Sequence, residues 1–158
     1  MSKIARSARV ASRQRVEAIT TDKTIITAES GELYLVGAST ESDGVIRITL
    51  PTPEAGSYFK FLFTADTIGT VSLTGSATNY FSGRATQQLG SPHGLVNTAI
   101  AEGARIVDSP KTDNSEYKLV LAKAAALAIG SGSVVELHSN GTAWYVEALV
   151  TGSTALFA

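Results

Sequence analysis

Cysteine is absent from this 158-residue chain. That excludes a disulfide framework, a thiolate metal site and a cysteine nucleophile, and it leaves the redox compartment open. Histidine is almost as scarce: His93 and His138 are the only 2, and neither has a partner at the spacing of a metal site or a catalytic triad. No calcium-loop spacing, phosphate-cradling glycine loop or zinc motif occurs, so neither metal nor cofactor is expected. Charged residues make up 17% of the chain, below the roughly 25% of an average globular domain. No apolar run approaches the roughly 18 residues that cross a bilayer as a helix, so a soluble protein without a membrane partner is expected.

What is present is hydroxyl and apolar surface. Serine and threonine together number 35, and 44% of the residues are hydrophobic, enough for one domain with a packed core. The hydroxyls are scattered, so no combination with an acid and a histidine stands out as a catalytic set. The carboxylate pairs Glu41/Asp43 and Asp113/Glu116 lie in stretches that read as turns, where solvated loop charges are the simpler account. An enzyme is not expected.

The net charge of −1 conceals a division. Lys3, Arg6, Arg9, Arg13 and Arg15 give residues 1–16 a charge of +5 with no acid, and the other 8 basic and 14 acidic residues leave −6 on the remainder. A basic segment ahead of an acidic body reads as an arm. Its Arg-rich, Ser-rich, acid-free composition suits a targeting segment. Five cations also suit phosphate contacts, but the arm has no aromatic residue to stack on bases, and a nucleic-acid partner is not expected. We expect a docking arm over residues 1–22 that gains its order from an acidic protein surface, with a plain solvated tail as the alternative. Arg6, Arg9 and Arg13 would share one face if the arm were helical.

Residues 23–158 read as a single β domain. Apolar residues alternate with polar ones in Val45–Leu50, where Ile46, Ile48 and Leu50 point one way, and in Tyr58–Thr64, where Phe59, Phe61 and Phe63 do. Pro51, Pro53 and Gly56 break the pattern between them. Val71 and Leu73 are expected inward, with Ser72 and Thr74 outward. Thr24–Thr27 and Glu32–Val36 read as short strands around a turn at Glu29-Ser30-Gly31. Further strands are expected at 104–108, 117–121 and 154–157, while the alanine-rich 121–129 fits a short helix or a strand continuation.

The clearest hairpin pairs Ser133–His138 with Ala143–Val150, whose Trp144, Val146, Ala148 and Val150 share a face. The Asn140-Gly141 dipeptide between them predicts a type I′ turn. That turn explains Asn140-Gly141-Thr142 without invoking its match to a glycosylation acceptor. Residues 84–103 contain Gly90, Pro92, Gly94 and Gly103 and read as a long excursion. Many short strands separated by turns predict an all-β fold, an antiparallel β-sandwich or barrel with an extended basic N-terminal arm.

The run Thr24-Ile-Ile-Thr-Ala-Glu-Ser-Gly31, followed by Ile48-Thr-Leu-Pro51, Glu54-Ala-Gly56 and Phe59-Lys-Phe61, resembles a pattern of tailed-bacteriophage virion proteins. The ending Gly132-Ser-Val-Val-Glu-Leu-His-Ser-Asn-Gly-Thr-Ala-Trp-Tyr-Val146 is similar to theirs. The resemblance covers residues 24–74 and 132–150. It implies a virion surface module, expected here as a capsid decoration (cement) protein that binds the major capsid protein on the outer shell, assembles as a trimer and stabilises the shell. The alternative it implies is a head or tail fibre module that binds host surface glycans, with Tyr80, Phe81 or Tyr145 stacking on sugar rings.

Overall fold

The computed structural model describes residues 14–65, 69–75, 81–88, 104–108, 118–122, 131–151 and 154–157. Among them run β1 (Val16–Ile19), β2 (Lys23–Thr24), β3 (Leu33–Val36), β4 (Val45–Thr49), β5 (Tyr58–Phe63) and β6 (Thr70–Thr74). They are followed by β7 (Phe81–Gln88), β8 (Ala104–Asp108), β9 (Lys118–Ala122), β10 (Val134–Ser139), β11 (Trp144–Thr151) and β12 (Thr154–Phe157). A 3₁₀ turn at Thr27–Glu29 is interposed between β2 and β3. The strands form a seven-stranded sheet in the order β1-β3-β5-β10-β11-β7-β8 and a five-stranded sheet in the order β12-β9-β6-β4-β2.

The period-two alternation is the cause of this arrangement. Ile46 and Ile48 of β4, Phe59, Phe61 and Phe63 of β5, and Trp144, Val146, Ala148 and Val150 of β11 are buried, with the intervening residues at least partly exposed. The inner faces of both sheets meet in one hydrophobic cluster. Its aromatic centre packs Trp144 on Phe59 at 5.4 Å and stacks Tyr34 on Phe61 at 5.2 Å between ring centroids. The Trp144 indole N–H donates to the Pro51 carbonyl at 3.3 Å, which offsets the cost of taking this polar group out of water. Ser72 departs from the expected alternation: it is buried, 4% exposed, and its hydroxyl lies 3.4 Å from that of Thr74.

The all-β expectation of a sandwich or barrel holds, with two sheets, but the sheets are mixed rather than antiparallel. Pairs β1–β3, β3–β5, β2–β4, β4–β6 and β11–β7 are parallel. Parallel neighbours require a crossover rather than a tight turn. From β1 to β6 the crossover is a strand of the opposite sheet, because consecutive strands alternate between the two sheets.

Local sequence also moves several boundaries. Val16–Ile19 is a sheet strand, and the Leu33 N–H donates to the Arg15 carbonyl at 2.9 Å, so the arm expected to run to residue 22 includes a strand of the seven-stranded sheet. Residues 1–13 lie outside the described residues. The strand expected at Thr24–Thr27 stops early because the Ile26 N–H is taken at 2.9 Å by the Glu29 carboxylate rather than by a neighbouring strand. Arg84–Gln88 belongs to β7, so any excursion begins after it; residues 89–103 and 123–129 lie outside the described residues.

The β10–β11 loop differs too. Ser139 pairs with Trp144, which leaves residues 140–143 as the loop, longer than a two-residue type I′ turn. Asn140 organises it through its side chain, whose Oδ1 accepts from Thr142 N, Thr142 Oγ1 and Ala143 N at 3.0, 2.9 and 3.0 Å. Gly141 adopts a positive φ, +97°.

Candidate functional site

Strands β1 and β2 are the outermost strands of their respective sheets on one side of the sandwich. The gap between them is bridged by charge. Glu17 of β1 sits in register with Tyr34 of β3, and Lys23 of β2 reaches it, with Nζ 2.9 Å from Glu17 Oε1 and 3.0 Å from Glu29 Oε1. Glu32, two residues before Tyr34 and on the same inward parity, is buried and pairs with Arg15 at 2.8 Å. Carboxylate oxygens of Glu17, Glu29 and Glu32 lie within 4.8 Å of one another.

The electrostatics follow from this packing. The Glu17 hydrogen bond, opposed by burial, holds the Lys23 ammonium above its ordinary range, with Glu29 adding to it. Burial works against the charged form of Glu29, but the Ile26 N–H and Lys23 outweigh it and keep this carboxyl below its ordinary range. Tyr34 is fully buried. Burial first, then the charges of Glu29, Glu32 and Glu17, push its phenol far upward, and its hydroxyl has no hydrogen-bond partner. Lys23 Nζ stands 6.0 Å from the centre of its ring.

Inward-pointing charge on an edge strand also blocks strand addition by another chain. Glu17 and Lys23 thus protect the two edges that their strands would otherwise offer. The cluster closes the sandwich at this edge, beside Arg15.

A second feature lies on the outer face of the seven-stranded sheet. Tyr58, His138 and Tyr145 stand side by side across β5, β10 and β11. The Tyr58 and His138 rings are 4.7 Å apart, Tyr145 is 43% exposed, and its hydroxyl accepts from Asn140 Nδ2 at 3.1 Å. The next rung carries the ion pair of Lys60 with Glu136 at 2.6 Å.

The expected site residues are distributed as follows. Of the docking cations, Arg15 is described, solvent-exposed and anchored on Glu32; Lys3, Arg6, Arg9 and Arg13 lie outside the described residues, as do His93, Tyr80, Asp113 and Glu116. Phe81 is buried in the core, 1% exposed, so it cannot stack on a sugar. Glu41 and Asp43 serve their loop: Glu41 accepts from Asp22 N at 3.1 Å, and Asp43 from Val45 N at 2.9 Å and from Arg47.

Sequence reasoning missed the Glu17/Glu29/Glu32/Tyr34 cluster, because its members are spread over what read as arm, turn and strand. One signal was available: Glu32 occupies the buried parity of its own strand pattern, where a carboxylate needs a partner. Among the described residues no helix is long and apolar enough to cross a membrane. No family model, curated protein or solved structure matches this chain.

Proposed function

We propose that this protein is a non-catalytic virion surface module, a capsid decoration protein whose basic arm docks on the major capsid protein and whose β domain braces the outer shell. The observation that carries the reading is the division of charge, +5 over residues 1–16 against −6 over the rest. The resemblance of residues 24–74 and 132–150 to phage virion proteins supplies the class of surface. The arm's last cation supports the reading as well, since Arg15 is fastened to buried Glu32 at the head of β1, so a force on the arm enters the sheet directly. In this role the protein assembles as a trimer, needs no cofactor and acts without nucleic acid.

Trimming must respect the strand, because β1 begins at Val16 and the Leu33 N–H donates to the Arg15 carbonyl just ahead of it. The test is to delete residues 1–13 and measure binding to undecorated capsids. Loss of binding, together with a steep decline of wild-type binding with salt, is the expected outcome. Full-strength binding by the trimmed protein removes the arm from the mechanism.

The second reading, a fibre or adsorption module for host glycans, is favoured by the exposed Tyr145 beside His138 and Tyr58. A glycan array with hits above background that disappear in Tyr145→Ala favours it over decoration. A blank array sinks it.

A further inference from the structure

We propose that Glu17, Glu29, Glu32 and the Tyr34 hydroxyl form a binding site for a calcium ion, which exchanges with the Lys23 ammonium. Three carboxylates supply the hard oxygen ligands that calcium takes. Their oxygens lie within 4.8 Å of one another, and opposed ligands on calcium are separated by about 4.6–5.2 Å, twice its bond length. Calcium accepts irregular shells completed by water, whereas magnesium demands near-octahedral geometry. The flanking elements here, an edge strand, a 3₁₀ turn and a strand end, suit the more permissive ion.

Tyr34 points independently to a ligand. Its side chain is fully buried and its hydroxyl makes no well-formed hydrogen bond, although it faces Glu29 and the charges of all three carboxylates act on it. A buried hydroxyl left unpaired calls for a specific explanation, and a cation held by those carboxylates supplies one, since a phenol oxygen offers it a lone pair.

Charge and mobility complete the argument. Three carboxylates face Lys23 and Arg15, which leaves the cluster one positive charge short. Lys23 is a single charge on a flexible stem whose side chain is 22% exposed, so its ammonium can move into solvent and yield its place to a dication. Arg15 is 78% exposed and shares Glu32 with the ion. Calcium therefore competes with the anchorage of the arm.

The test uses the full chain, stripped with EDTA and titrated with calcium chloride by calorimetry and thermal unfolding, with terbium as a luminescent probe. One site is expected, with a Tm rise of about 3–6 °C at tenfold excess over Kd and terbium emission sensitised by Tyr34. Lys23→Gln should bind calcium more tightly than the wild type, because the competing ammonium is gone. Glu17→Gln and Glu29→Gln should lose the Tm shift, and Tyr34→Phe the sensitised emission. Four results overturn the proposal: no heat and no Tm shift in wild type and Lys23→Gln up to about 10 mM calcium; binding retained in the glutamate variants; unchanged affinity in Lys23→Gln; or equal affinity for magnesium.

Discussion

Tyr34 carries two opposed burdens. Its ring is a central piece of the core, stacked on Phe61, while its hydroxyl is buried without a partner. Leaving such a group unpaired costs about 1–3 kcal/mol. Tyr34→Phe keeps the ring and removes the oxygen, so in metal-free buffer it should stabilise the fold by about 1–3 kcal/mol, read from urea unfolding. Gly83 shows the reverse dependence. It sits opposite Val146 in the parallel β7–β11 pair with φ at +143°, and a Cβ placed there would lie 2.1 Å from the Val146 carbonyl oxygen. Gly83→Ala should therefore destabilise by about 1–3 kcal/mol through overpacking, measured in the same way. Nothing in the sequence around Gly83 announces this, because the conflict is with a strand more than sixty residues further on.

At the scale of elements, the closure of the β1–β2 edge is ionic and hence sensitive to pH. Glu29 is held below its ordinary value of 4.5. Its contribution to stability is present above that value and disappears as pH falls through the lower folded one. Lys23 is held above 10.5, so its contribution is present below that value and disappears as pH rises through the folded one. Denaturant midpoints should form a plateau between these limits, and Glu29→Gln should flatten the acid limb; an unchanged acid limb would place the titrating group elsewhere. The elements themselves were legible wherever one face is buried. The alternation of Ile46/Ile48, of the three phenylalanines and of Trp144/Val146 specifies which side chains point inward. It does not specify the neighbour: whether β3 lies parallel or antiparallel to β5 depends on the connecting chain, and alternation looks the same in both. The Asn140-Gly141 signal located a real hairpin, but Asn140 acts through its side-chain oxygen, a role that dipeptide preference does not reveal.

For the whole molecule, the all-β class was readable from alternation and turn spacing, whereas the ionic cluster was not. Glu17, Glu29 and Glu32 meet because the β1–β3 register sets Glu17 beside Tyr34, and that register joins segments separated by a strand of the other sheet. The docking reading was legible only as charge along the chain, and residues 1–13 lie outside the described residues. Deleting residues 1–13 should leave the thermal unfolding midpoint within about 2 °C of the full chain, an effect no larger than that of surface changes, because β1 begins after the cut. A larger drop would mean that the segment contributes to the domain itself.

The parallel pairing of β1 with β3 also determines how the molecule would answer a pull. Tension applied at the N-terminal end of β1 runs along the strand, and the backbone hydrogen bonds to β3 lie across it. Those bonds are loaded together in shear rather than peeled one after another, and the Arg15–Glu32 pair shares the load at the point of entry. A pull on the N-terminal end of β1 would thus meet several bonds at once rather than one at a time.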